Sequence, residues 1–138
     1  MELGINLIDT AEGYRSVYPD GSVKSNEKVL GQAINQLGRE KFVICSKHLP
    51  GGWKKPFIFD DIKNKEDARK IIKSACEESL KELNVDCIDL YYLHRLYPEH
   101  TNVTIEDTME VFKGEHIDTL STYIFPFKLM VKTNTNGC

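Results

Sequence analysis

No stretch of this chain stays apolar long enough to cross a membrane. The longest candidate, Tyr123 to Val131, is broken by Pro126 and Lys128 and falls well short of the roughly 20 apolar residues that a spanning helix needs. A cationic surplus is missing too. Lys and Arg number 18 against 21 Asp and Glu, a formal charge of -3, the wrong sign for a surface that neutralises phosphates. Neither a membrane nor a nucleic-acid partner is therefore expected. The start, Met1-Glu2-Leu3-Gly4, lacks the cationic and apolar regions of a secretory signal, which points to the cytoplasm. The four cysteines, at 45, 76, 87 and 138, have none of the paired spacing of a zinc knuckle, so no metal site is expected. Reduced thiols are expected there, with Cys45 and Cys76 packing as small hydrophobes.

What is present is an ordinary globular composition, 41% apolar and 28% charged over 138 residues, enough for a modest core. Short β-rich runs alternate with amphipathic stretches. Ile5 to Asp9, Lys41 to Lys47 and Cys87 to His94 read as buried strands, rich in β-branched and aromatic side chains. Between the first two, Leu30, Ala33, Ile34 and Leu37 recur at helical spacing, with the start near Ser25 and a stop at Gly38. Between the second and third, Ile71, Ile72, Ala75, Cys76, Leu80 and Leu83 mark one face of a longer helix. After the third, Thr104-x-x-Asp107 has the form of a capping box leading into Ile105, Met109 and Phe112. The order β-α-β-α-β-α predicts an α/β fold, a parallel sheet with helices on its face. Beyond Gly114 the rhythm is lost, and one strand near Tyr123 to Phe127 is expected in a poorly specified tail.

In parallel α/β folds chemistry gathers at the C-terminal ends of the strands. Each predicted strand finishes on or next to an ionisable residue: Asp9, Lys47 and His94. Tyr14 follows Asp9 within the first connecting loop. Each has an ordinary structural explanation: a turn cap for Asp9, a solvated end for Lys47, a core imidazole for His94 and a rim contact for Tyr14. Their shared placement after successive strands points instead to a site holding a carboxylate, an ammonium, a phenol and an imidazole.

Those residues lie in motifs that resemble a known family. Gly4-Ile5-Asn6-Leu7-Ile8-Asp9-Thr10-Ala11-Glu12-Gly13-Tyr14 is similar to the aldo-keto reductase signature, a strand running into an Asp-Thr-Ala-x-x-Tyr turn. Ser25 to Gly31 resembles the start of the following helix, Phe42 to Lys47 the strand bearing the active-site lysine, and Ser79 to Arg95 the helix and strand that deliver the histidine. The resemblance implies reduction of an aldehyde or ketone by hydride transfer from NADPH. Tyr14 would act as general acid, Lys47 would make it a better donor, and Asp9 would pair with Lys47 and lie beside the nicotinamide ribose. His94 would orient the carbonyl oxygen of a small-molecule substrate. Trp53 with its loop is either a wall of the pocket or an ordinary hydrophobic rim residue.

The family fold is a (β/α)8 barrel, which typically needs about 250 residues. Three βα units resemble it here, starting at what looks like the second barrel strand. Residues 1–113 are thus expected to form a partial aldo-keto reductase domain, and 114–138 a divergent tail. The later loops that grip the cofactor's phosphates in the family have no recognisable counterpart, and Tyr97 stands where many relatives carry an acid. Such a sheet has unpaired edges, through which oligomerisation is expected. The alternative reading is a truncated, non-catalytic remnant or a partner-binding subunit of the same fold.

Overall fold

Apolar alternation and helix caps decide where each element begins and ends in the computed structural model, which describes residues 4–49, 63–94, 103–114, 119–123 and 128–132. Three strands, β1 (Leu7–Asp9), β4 (Val43–His48) and β5 (Leu90–Leu93), run parallel. Asp9 pairs with Cys45, and His48 with Leu93. Between β1 and β4 come a short antiparallel hairpin, β2 (Arg15–Val17) with β3 (Val23–Ser25), and helix α1 (Asn26–Leu37). Helix α2 (Lys65–Leu83) links β4 to β5, and α3 (Ile105–Gly114) follows β5. The expected parallel sheet with helices is therefore present.

The strands are shorter than their apolar runs. Arg39–Lys41 forms a 3-10 turn, so β4 begins only at Val43. Helix α2 starts earlier than its apolar face, because Asn64 caps it by accepting the Asp67 N–H at 3.0 Å. It ends where Asn84 adopts a left-handed conformation, φ 52°. The Thr104 capping box forms reciprocally: Asp107 N–H donates to Thr104 Oγ1 at 3.1 Å, and Thr104 N–H to Asp107 Oδ2 at 3.4 Å.

The core joins Ile34, Ile44, Ile72, Leu83, Ile88, Tyr91, Leu93 and Val111. Leu30 packs against it, but Ala33 and Leu37 are exposed, contrary to the face expected from spacing. The buried stripe of α1 runs through Glu27, Gly31 and Ile34, and Ala33 lies about 100° round the helix from Ile34. Gly31 is where α1 meets α2 most closely, over the backbone of Leu83 and Glu82.

Two hairpins are absent from the sequence reading. In the first, Tyr18-Pro19-Asp20-Gly21 turns the chain. Gly21 takes φ 78°, a conformation open to glycine, and Ser22 N–H donates to Asp20 Oδ1 at 2.9 Å. In the second, β6 (Thr119–Tyr123) and β7 (Lys128–Lys132) are antiparallel, and β7 pairs with β5, giving the order β1-β4-β5-β7-β6. The tail thus supplies two strands rather than one near Tyr123 to Phe127. Pro126 lacks the N–H that a central strand position needs, and 124–127 lie outside the described residues. Trp53, Tyr97 and the side chains of Ile105, Met109 and Phe112 also lie outside them.

Cys45 and Cys76 are free. Burial pushes both thiols up, that of Cys76 to about 12, so both are inert hydrophobes at neutral pH. Cys87 takes part in a disulfide, against the expectation that all four thiols stay reduced. Among the described residues no helix is long and apolar enough to cross a membrane.

Candidate active site

Strand alternation decides which side chains share a face. Along β4, Ile44 joins the core and Ser46 reaches α1, donating to Glu27 Oε1 at 2.6 Å. Cys45 and Lys47 therefore project from the opposite face. Parallel pairing brings the ends of β1, β4 and β5 to one edge of the sheet. His94 follows β5, with its N–H donating to His48 O at 2.8 Å.

A buried ammonium must be paired to remain charged. The Lys47 side chain is only 4% exposed, and its Nζ lies 2.8 Å from Asp9 Oδ2 and 2.7 Å from Thr10 O. The same Nζ is 4.9 Å from the centre of the Tyr14 ring. The Tyr14 and His94 rings meet edge to face, 5.8 Å apart at 85°, a favourable aromatic geometry. The three strand-end residues and Tyr14 of the first connecting loop are thus brought together by direct neighbour contacts: Asp9 to Lys47, Lys47 to Tyr14, Tyr14 to His94.

A second phenol stands on the strand beside Lys47. Tyr92 pairs with Lys47 in register, yet burial pushes its hydroxyl, like that of Tyr91, well above the ordinary phenol range. Tyr14 is instead 43% exposed and open to a substrate.

The loop carrying Tyr14 is held on both sides by residues that the sequence reading did not single out. Thr10 Oγ1 donates to Asn26 Oδ1 at 2.7 Å, while Asn26 N–H donates to Tyr14 O at 2.9 Å. Glu12 is buried. Its Oε1 accepts the Leu49 N–H at 2.6 Å and lies 3.2 Å from His48 Nδ1, tying the loop to the end of β4. Arg15 Nε donates to Glu12 O at 2.9 Å, and its guanidinium grips Glu82 through two bonds of 3.1 and 3.0 Å. Ser25, at the N-cap of α1, also spends its hydroxyl on Glu82, at 2.5 Å. Arg15 and Glu82 stand 67 residues apart, beyond the reach of any local pattern.

Behind Lys47 sits a buried carboxyl, Glu27, 1% exposed. Burial raises its pKa most, Ser46 and Ser79 oppose that by hydrogen bonding, and the nearby Glu82 and Glu12 add to it. The sign of the resulting pH dependence follows. Below the ordinary carboxyl value, ~4.3, the group is neutral folded or unfolded. Above it the unfolded chain ionises before the folded one does, so stability falls as pH rises towards the folded value. Glu27→Gln keeps an acceptor for Ser46 and removes that fall. Urea unfolding at about pH 4 and pH 7 is expected to show the parent losing stability relative to the variant, by on the order of 1 kcal/mol. Parallel pH dependences would contradict an upward shift at Glu27.

Known proteins resemble this chain over most of its length. The model of the aldo/keto reductase family matches residues 1–117. A probable aldo-keto reductase of Glycine max is 38% identical over 110 residues, covering 80% of this chain and 28% of the relative. The methylglyoxal reductase of Escherichia coli (strain K12) is 43% identical over 94 residues, covering 68% and 25%. An aldo/keto reductase from Klebsiella pneumoniae, crystallised with NADP and acetate, superposes with a TM-score of 0.52 at 30% identity, covering 81% of this chain and 30% of that one. The chain spans about a quarter to a third of these relatives' length. The solved relatives are (β/α)8 barrels, and the parallel strands and helices here correspond to part of one. With most of its length matched by the family model, and with its Asp-Thr-Ala-Glu-Gly-Tyr turn folded against a strand-end lysine, this chain belongs to the aldo/keto reductase family.

Proposed function

We propose that this chain serves the NADPH-dependent reduction of an aldehyde or ketone, with Tyr14 as general acid. The observation that carries the reading is the Lys47 ammonium, held by Asp9 and Thr10 O and lying 4.9 Å from the Tyr14 ring. A positive charge beside a phenol stabilises the phenolate left after proton transfer, so the hydroxyl donates more readily to a carbonyl oxygen gaining negative charge. Asp9 pairs with Lys47 at 2.8 Å and fixes its direction. His94, edge-on to Tyr14, supplies a second polar group to orient that oxygen and stabilise its developing charge.

The residues present fit the nicotinamide ribose end of the cofactor. Leu7 and Asp9 alternate onto the same open face of β1, both exposed, and the Asp9 carboxylate, 43% exposed despite its ion pair, retains acceptor capacity for a ribose hydroxyl. When bound there, the dinucleotide supplies the hydride. The Klebsiella pneumoniae relative was crystallised with NADP, and methylglyoxal, named for the Escherichia coli relative, is both an aldehyde and a ketone. It is the first substrate to try. Purified chain, NADPH and a series of aldehydes beginning with methylglyoxal are expected to give NADPH consumption matched by alcohol formation. No alcohol from any carbonyl, with circular dichroism showing a folded chain, would overturn the reading.

A further inference from the structure

A groove of about 280 Å³ lies between Tyr14 and the β2–β3 hairpin, walled by Tyr14, Tyr18, Lys24, Ser25, Asn26 and Val29. Tyr14 is shared between this groove and the cluster of Lys47 and His94, neither of which lines it. We propose that the groove seats an aromatic acid group on the carbonyl substrate, with Lys24 as the charge partner of its carboxylate. This deepens the reductase reading and rests on it.

Three observations point to that chemistry. Tyr14, Tyr18 and Val29 are exposed side chains gathered in one place, so a flat ring would meet two aromatic rings and an aliphatic group within an otherwise polar lining. Lys24 Nζ lies over the Tyr18 ring, 4.8 Å from its centre, and among the described residues no carboxylate lies within ion-pair distance of it. The neighbouring cations differ: Arg15 and Lys28 both pair with Glu82. Asn26 accepts from Thr10 through Oδ1, which leaves its amide NH2 as a second donor for a carboxylate oxygen. The volume falls just below the range of drug-sized sites, which begins at about 300 Å³. A benzoate-sized group fits that scale and a nucleotide does not. The hairpin that supplies Tyr18 and Lys24 would then select substrates, while the strand ends carry the chemistry.

The test compares kcat/KM for 4-carboxybenzaldehyde and 4-methylbenzaldehyde in the parent, Lys24→Arg and Lys24→Glu. The parent and the Arg variant are expected to favour the acid by roughly threefold to fivefold, as a solvent-exposed ion pair would, and added salt should shrink the ratio. The Glu variant should invert it. In parallel, benzoate is titrated into 15N-labelled chain and the amide shifts of residues 23–26 are followed. Shifts that move in the parent and stay fixed in Lys24→Glu support the groove even if no aldehyde turns over, in which case the reductase reading alone has failed. Equal acid preference in all three proteins, or benzoate shifts that ignore Lys24, would overturn the groove.

Discussion

Tyr14→Phe is expected to reduce carbonyl turnover about 10²- to 10⁴-fold, the range that positioned general acids supply, while leaving the fold intact. The substitution keeps the ring. Its edge-to-face contact with His94 and its place beside the Lys47 ammonium can both persist, so only the transferable proton is lost. Stability should change little, because the side chain is 43% exposed and the loop is held by backbone bonds from Asn26 and to Ala11. Parent and variant should therefore share a melting temperature and differ in kcat. A variant within about threefold of the parent would show that the proton comes from elsewhere.

Gly31→Ala is expected to be the most damaging small substitution in the helical layer. On helix propensity alone it should stabilise α1 by roughly 1 kcal/mol. An ideal Cβ at this position, however, falls 2.5 Å from Leu83 O, 2.7 Å from Leu83 C and 2.9 Å from Glu82 O. These are backbone atoms at the end of α2, which cannot rotate aside as a side chain would. The two helices must separate or the last turn of α2 must shift, and overpacking of that kind costs about 1–3 kcal/mol. Leu83 is fully buried in the core, and Glu82 is the anchor for Arg15 and Ser25. The damage should thus reach the Tyr14 loop, lowering the urea midpoint and turnover together. A midpoint equal to or above the parent's would show that the helices have room to give.

Much of the fold was legible because its signals are local. Parallel strands and crossover helices announce themselves by apolar period, and Asp9, Lys47 and His94 by their positions at strand ends. Tyr14 followed from its place in the first connecting loop and from its motif. What escaped was non-local. Glu82 belongs to the polar face of α2 until the fold brings it to Arg15 and Ser25. Glu27 reads as a first-turn acid, yet Ser46 claims it from the neighbouring strand. The β2–β3 hairpin has three-residue, largely exposed strands, too short to show alternation, and only Pro19-Asp20-Gly21 signals its turn. The β6–β7 hairpin is held by pairing with β5, a partner that no pattern within residues 119–132 names. Ala33 and Leu37 were misplaced because spacing reveals a face without its centre, which Glu27 and Gly31 shift round the helix.

The reductase reading depends on Tyr14 and Lys47 acting as one proton-donating unit, and a double-variant cycle on kcat tests that most directly. Tyr14→Phe, Lys47→Met and the combined variant would be compared with the parent at saturating aldehyde and NADPH. Residues that act as a unit are strongly non-additive. With the phenol proton gone, the ammonium has nothing left to assist, so the combined variant is expected to be about as slow as Tyr14→Phe alone. A combined loss equal to the product of the two single losses would show that the groups act independently, and would contradict the proton-donor role drawn from their contact.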